Sequence, residues 1–135
     1  TKAGTCEENT RAYLRAMENP YVNIIGHPDD GFIPIDFDRF VRAAKENHVL
    51  IEVNNSSVRT VPYRLNTAEN IREILRLCMR YETPVVVGTD AHHTSGVGQF
   101  GEALAALEDT GFPEELVANT SLEKYERLLA ESRRA

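Results

Sequence analysis

Apolar residues follow two alternating patterns along this chain. Short runs rich in β-branched residues, each closed by glycine, proline or polar residues, predict strands over residues 21–25 and 49–53 and at Val85–Val87. The segments between these runs place apolar residues every three or four positions, which predicts amphipathic helices. A very short strand is also expected around Val117. Strands that alternate with helices of this length predict an α/β protein whose parallel strands are joined by right-handed crossovers.

Polar residues mark where several of these helices should begin. Thr5 and Glu8 have the spacing of a capping box, and so do Asn66 and Glu69. Asp36 is expected to cap the helix that follows it. The helical side chains expected to face the core are Tyr13, Leu14, Met17, Phe37, Phe40, Val41, Ala44, Ile71, Ile74, Leu75, Cys78, Phe100, Leu104, Leu107, Leu122, Tyr125, Leu128 and Leu129.

Composition and charge narrow the classes of function. The 135 residues fit one domain, and 41% hydrophobic with 27% charged residues is a globular composition. No apolar run is long enough to cross a membrane, and a net charge of −6 argues against direct nucleic-acid binding. A small phosphorylated molecule remains compatible, because bound metal ions reverse the local field. Cys6 and Cys78 form no C-x-x-C motif, which predicts a reducing compartment, the cytoplasm.

Groups that bind metal or phosphate follow each predicted strand, where parallel sheets place their ligands. Imidazole and carboxylate together suit zinc, manganese or iron. Asp90 and His92 are two positions apart, so an extended segment would point both side chains the same way. His27 would approach from the neighbouring strand. The three strand ends read Gly26-His27-Pro28-Asp29, Glu52-Val53-Asn54-Asn55-Ser56-Ser57 and Gly88-Thr89-Asp90-Ala91-His92-His93.

Each of these residues also has a purely structural interpretation. Asp90, two positions after a glycine, is typical of a turn or a cap, and His27 before a proline can hydrogen-bond a carbonyl at a strand end. Asn54 and Asn55 can satisfy backbone groups in a turn. Arg64 can clamp a phosphate or remain a solvated surface arginine. All of these alternatives stay open from the residues alone.

Glu52 and His93 also lie in the strand-end segments, and several common catalytic motifs are absent from the sequence. Glu52 is either a core-lining carboxylate with polar partners or a surface residue. Strand alternation turns His93 away from the predicted site, so it is expected at the surface. The chain has no Walker loop, no G-x-G-x-x-G and no G-x-S-x-G, and neither cysteine lies at a strand end. Nucleotide-binding loops and serine or cysteine nucleophiles therefore find no support.

Four segments, "NIIGHPDD", "LIEVNNSS", "VVVGTDAHHTSGVGQFGEAL" and "GFPEELVANTSLEKYERLL", resemble in this order the PHP (polymerase and histidinol phosphatase) superfamily. The branch they resemble most is that of the small bacterial PHP phosphatases. The resemblance implies a distorted (β/α)7 TIM-like barrel with up to three zinc or manganese ions at the strand ends. It matches His27, Asp90 and His92 each to a ligand of a different metal ion. Asn54 and Asn55 would lie beside the substrate.

The resemblance also implies the reaction. A hydroxide that bridges two metal ions would attack the phosphorus of a phosphomonoester, so no side chain is the nucleophile. We expect Arg64 to steady the phosphate. The intact protein would be a metal-dependent phosphoesterase. The alternative is a non-catalytic module, derived from a PHP domain, that serves binding or assembly.

One departure from the family pattern is large. PHP proteins begin with an H-x-H strand and take further His and Glu ligands from their first half, and this chain has no H-x-H. We therefore expect residues 1–135 to be a single incomplete domain, the C-terminal portion of a PHP domain. Alone it should be inactive and should bind metal weakly or not at all. Its open sheet should be covered in a homo-oligomer or a swapped assembly.

Overall fold

A parallel sheet organises the computed structural model, which describes residues 3–59 and 62–132. Its strands are β1 (Ile24–Ile25), β2 (Leu50–Asn54) and β3 (Val85–Gly88), in that order across the sheet. Both strand pairs are parallel, as the alternation of strands and helices predicts. Val85 also forms a parallel bridge with Val117, at the place where a very short strand is expected.

Six α-helices accompany the sheet within the described residues. α3 follows β2 without a loop, and the sequence pattern does not predict it. Short 3₁₀ turns lie at Thr94–Gly96, Glu114–Leu116 and Ala118–Thr120. The helices are α1 (Cys6–Met17), α2 (Phe37–Glu46), α3 (Asn55–Val58), α4 (Thr67–Tyr81), α5 (Gly101–Thr110) and α6 (Leu122–Ser132).

The described residues form an open sheet, which is compatible with part of an α/β barrel, and the (β/α)7 barrel itself stays a prediction. β1 is shorter than the predicted strand over residues 21–25. The N–H of Val22 bonds back to the carbonyl of Asn19 at 2.9 Å, so this segment turns before the strand starts. No helix in the described part of the chain is long and apolar enough to cross a membrane.

Two of the three predicted helix caps are confirmed. The Thr5 hydroxyl accepts the Glu8 N–H at 3.2 Å, and the Glu8 carboxylate accepts the Thr5 N–H at 2.8 Å. Asp36 accepts the Arg39 N–H at 3.1 Å. The capping box predicted at Asn66 is wrong. Asn66 has a left-handed φ of 53° and makes no side-chain cap bond, because an N-cap normally requires extended backbone.

The main core lies on one face of the sheet, against α1, α2, α4 and α5. Most of the helical side chains expected inside are buried or partly buried there. Leu104 and Leu122 are exceptions, with 49% and 72% exposure. α5 turns Ala103 and Ala106 inward instead, because small side chains let it approach α3 and α4 closely.

The opposite face of the sheet is covered only in part. Leu50, Val86 and Ala118 form a second small cluster there, and Tyr125, Leu128 and Leu129 of α6 pack on it. Because side chains alternate along a strand, Glu52 and Asn54 belong to the same face as Leu50. The half of this face nearer the carboxyl ends of the strands therefore carries polar groups.

The two cysteines should differ strongly in reactivity. Cys78 is fully buried on α4 and its pKa is raised by burial, whereas Cys6 is exposed. Since the thiolate is the reactive form, a disulfide reagent should modify Cys6 rapidly and Cys78 only when the protein unfolds. Spectrophotometric thiol titration in buffer and in urea measures this. The Cys6→Ser protein should show no fast phase, and a fast phase in that protein would contradict the burial of Cys78.

Candidate functional site

The carboxylate of Glu52 occupies the centre of the polar edge of the sheet, between glycines of the two flanking strands. A Cβ placed on Gly88 would collide with Glu52 Oε1, and one on Gly26 would lie 3.4 Å from Oε2. The absence of a side chain at Gly88 leaves a slot for the carboxylate, whereas a Cβ at Gly26 would only be in ordinary contact with it. Of the two interpretations of Glu52, the structure supports the carboxylate with polar partners. The signal in the sequence was a glycine at the end of each flanking strand.

His27 stands at the end of β1 in an unusual backbone conformation. Its φ of 31° lies in the left-handed region, which residues other than glycine adopt rarely. Its backbone N–H donates to Glu52 Oε2 at 2.9 Å. The residue is exposed. Glu52 thus joins the central strand to His27, the predicted metal ligand that follows β1.

Asp90 and His92 are brought together by a turn rather than by strand alternation. Asp90 has a φ of 51°, so the expected extended segment is wrong at this residue. His92 Nδ1 lies 2.8 Å from the Asp90 carbonyl oxygen and 3.9 Å from Asp90 Oδ1. The His92 side chain is 81% exposed. His93 is exposed as well, as expected.

Arg64 reaches the same turn from the segment before α4. Its Nη2 lies 3.8 Å from Asp90 Oδ2, and only 14% of its side chain is exposed. Its Nη1 is buried and has no hydrogen-bond partner among residues 3–59 and 62–132. Arg64 is therefore not a solvated surface arginine. A buried guanidinium nitrogen without a partner is costly, and an anion is the partner that best satisfies it.

Asn54 and Asn55 are buried and act as hydrogen-bond partners inside the protein. Asn54 accepts the Ser57 N–H at 2.9 Å through Oδ1 and donates to Glu52 at 3.2 Å through Nδ2. Asn55 accepts the Ala103 N–H in the first turn of α5 at 3.0 Å. These bonds support the structural interpretation of both residues. Their contact with a substrate stays a prediction.

The two serines that follow tie α3 to both neighbouring loops. Ser56 donates to the Thr89 carbonyl at 2.9 Å, and Ser57 donates to the Asp29 carboxylate at 2.6 Å. Asp29 is buried, and burial raises its pKa. The Ser57 hydrogen bond and the positive charge of Arg64 act in the opposite direction. Through these bonds the loops after β1 and β3 are held to the same short helix.

A polar pocket of about 220 Å³ opens between α3 and the loop after β3. This volume is below the roughly 300–1,000 Å³ typical of pockets for drug-sized ligands, so the pocket suits a small ion or one end of a larger ligand. A guanidinium, two imidazoles and a carboxylate face the pocket, a set of groups that binds anions and cations alike. Its lining includes Asn55, Arg59, Asp90, His92 and His93.

These residues do not form a complete metal site by themselves. In the part of the chain that the structure describes, no three His, Cys, Asp or Glu residues lie together closely enough to hold one ion. His27 follows β1, whereas Asp90 and His92 follow β3, two strand spacings or about 10 Å away across the sheet, and in the described residues the three do not gather around one ion. The donor types suit zinc or manganese. In the described part of the chain, each of these residues could supply one ligand to such an ion, and the remaining ligands would have to come from other residues.

Replacing Gly88 with alanine should destabilise the protein by about 1–3 kcal/mol, because the new Cβ would overlap the Glu52 carboxylate. Urea unfolding followed by circular dichroism measures the loss. Gly101→Ala is the matched control. No atom lies within 4 Å of a Cβ at Gly101, and alanine favours the helix. In a Glu52→Ala background the cost of Gly88→Ala should largely disappear. An unchanged cost there would contradict the proposed overlap.

Comparison with known proteins finds relatives over nearly the whole chain. A protein of Clostridium novyi (strain NT) named as a probable phosphatase is 41% identical over 121 residues, covering 90% of this chain and 49% of the relative. A probable phosphatase of Caldanaerobacter subterraneus subsp. tengcongensis is 44% identical over 128 residues, or 95% of this chain and 50% of the relative. One of Acetivibrio thermocellus is 41% identical over 125 residues, or 93% and 51%. No family model matches the chain. The chain spans about half the length of the curated relatives it matches.

Proposed function

We propose that this chain is part of a metal-dependent phosphoesterase of PHP type that hydrolyses a phosphomonoester. The observation that carries the proposal is the turn after β3. There the Asp90 carboxylate lies 3.8 Å from the Arg64 guanidinium and 3.9 Å from the His92 ring, beside a polar pocket. Relatives named as probable phosphatases, at 41% and 44% identity, support the same reaction class.

In this proposal the three predicted ligands serve different metal ions. His27, Asp90 and His92 each contribute one donor to a site for zinc or manganese, and up to three such ions are completed by donors from another part of the protein. When bound, the ions neutralise the charge of the phosphate and activate water for attack on phosphorus. The requirement for further donors agrees with the scattered positions of these residues in the described part of the chain.

Arg64 is the residue that the proposal places on the phosphate. A guanidinium binds phosphate oxygens through two parallel hydrogen bonds. The carboxylate of Asp90 and the burial of the side chain hold it in place before a ligand arrives, which lowers the entropic cost of binding. An acidic chain with a net charge of −6 favours a small phosphorylated molecule over nucleic acid.

The proposal extends to the whole protein. Residues 1–135 would be the C-terminal portion of a PHP domain, in which the open sheet continues into a distorted (β/α)7 barrel. The chain alone would be inactive and would bind metal weakly. Ile24 on the edge strand is partly exposed, which supports a homo-oligomer or a swapped assembly that covers this edge. The localisation proposed is cytoplasmic.

A metal-dependence assay tests the proposal. The protein encoded by the full reading frame that contains this chain, and the 135-residue chain alone, are assayed on p-nitrophenyl phosphate with zinc or manganese. We expect hydrolysis by the longer protein, its loss with a chelator and its return when the metal is added back. The 135-residue chain should show none. Hydrolysis that survives exhaustive chelation would contradict the role of the metal.

A non-catalytic module is the second candidate. The observation that favours it is that no three candidate donors converge on one ion in residues 3–59 and 62–132. The same assay separates the two candidates. A longer protein that binds neither zinc nor manganese and hydrolyses no phosphomonoester would support the non-catalytic module.

A further inference from the structure

We infer that Glu52 is a positioning residue, whose carboxylate holds the backbone of His27 and so sets where the His27 imidazole stands at the candidate site. The contact is independent of any reaction. Only the task assigned to His27 rests on the proposed function. The sequence analysis places Glu52 at a strand end but gives it no role in binding metal or substrate.

The first observation in support is the backbone conformation of His27, which is unfavourable for this residue and its neighbour. A φ of 31° costs a non-glycine residue about 1–3 kcal/mol unless its surroundings impose it. The next residue is Pro28, and a residue before proline strongly prefers extended backbone. Both preferences oppose the observed conformation, so a contact from elsewhere in the fold has to hold it.

Glu52 supplies that contact. Its Oε2 accepts the His27 N–H at 2.9 Å, within the usual length of an N–H···O hydrogen bond. Asn54 Nδ2 donates to the same oxygen at 3.2 Å. The carboxylate is therefore anchored on the central strand before it reaches across to β1.

The slot around the carboxylate is the second support. Glu52 lies between two glycines, and a side chain at Gly88 would displace Oε1. Three neighbouring segments thus meet at one place: β2 provides the carboxylate, Gly88 of β3 provides the space for it, and the backbone at Gly26 borders it at contact distance. A carboxylate that simply pointed into solvent at the edge of the sheet would not need the space left by Gly88.

One variant separates the hydrogen-bonding role of Glu52 from its charge. Both donors bind one oxygen of Glu52, so the amide oxygen of glutamine can replace it. Glu52→Gln should therefore keep His27 in place. Glu52→Met keeps the length of the side chain and lacks the acceptor, and Glu52→Ala removes both. Glu73→Ala, an exposed glutamate on α4, is the matched control.

Amide hydrogen exchange and imidazole resonances of His27, measured by nuclear magnetic resonance on the isotope-labelled chain, test the inference without any activity. We expect Glu52→Met and Glu52→Ala to accelerate exchange of the His27 N–H about tenfold or more and to shift its ring signals. Glu52→Gln and Glu73→Ala should leave both unchanged. Unchanged exchange and ring signals in the Glu52→Met protein would overturn the inference. Methionine preserves the volume of the side chain, so this variant decides the question even if the Glu52→Ala protein fails to fold.

A second readout is enzymatic activity, measured on the form of the protein that hydrolyses phosphomonoesters. Glu52→Met should lower kcat/KM by about 10–100-fold, the usual effect of losing a group that orients a metal ligand. Glu52→Gln should stay within about threefold of the unsubstituted protein, since the acceptor remains. A Gln variant as impaired as the Met variant would show that the charge is required and would overturn the positioning role. If the unsubstituted protein hydrolyses nothing, the proposed function fails, and the exchange measurement still decides the role of Glu52.

Discussion

Replacing Phe40 with alanine is expected to lower the free energy of unfolding by about 3–5 kcal/mol, the range for truncating a fully buried aromatic side chain. Phe40 on α2 is completely buried in the main core. Its ring meets Tyr13 of α1 edge to face, with ring centroids 5.5 Å apart and planes at 87°. The change therefore removes both buried area and the aromatic pair that joins two helices. Urea unfolding followed by circular dichroism measures the loss as a lower midpoint.

Phe32→Ala is the control for this prediction, because it removes the same side chain from a position that is 53% exposed. Its cost should stay below about 1 kcal/mol, since little buried area is lost. Equal losses at the two positions would contradict the placement of Phe40 at the centre of the core.

Replacing His92 with alanine is expected to lower kcat/KM for phosphomonoester hydrolysis by about 10²–10³-fold in the active form of the protein. A bound metal ion contributes several kcal/mol of charge stabilisation, and each 1.36 kcal/mol corresponds to about tenfold in rate. The His92 side chain is 81% exposed, so its removal should change stability by only about 0.5 kcal/mol or less. Steady-state kinetics with saturating zinc or manganese, together with urea unfolding, separates the two effects.

His48→Asn is the matched control for His92. His48 is an exposed histidine before the start of β2, at the opposite end of the sheet. It has a left-handed φ of 55°, which asparagine tolerates better than most residues. This variant should keep its activity within about twofold. Equal rates for the His92→Ala protein and the unsubstituted protein would defeat the role given to His92.

The parts of the fold that the sequence predicts correctly are those that depend on local patterns. Periodicity reports which residues are buried, so the three strands, their parallel arrangement and the burial of Cys78 are confirmed. The caps at Thr5 and Asp36 follow from residues only three positions apart. The prediction that Leu104 and Leu122 face the core is wrong. Five successive apolar residues of α5 lie on several sides of that helix, and Leu122 is the first residue of α6, at the end of its apolar stripe.

The candidate site is predicted in composition but not in geometry. Alternation along a strand suggested how Asp90 and His92 would meet, but a left-handed residue ended the extended segment and a turn brought them together. Arg64 had two interpretations from sequence, and only its burial beside Asp90 excludes a solvated side chain. Both outcomes depend on backbone angles and distant contacts that periodicity does not report.

By itself, the sequence determined that strands and helices alternate and that imidazoles, carboxylates and amides follow the strands, because burial periodicity and residue chemistry are properties of neighbouring positions. Only the tertiary structure decided that Glu52 fills a slot between Gly26 and Gly88 and holds the N–H of His27. That arrangement requires three strands in one register, and the register arises when segments far apart in the chain pack together.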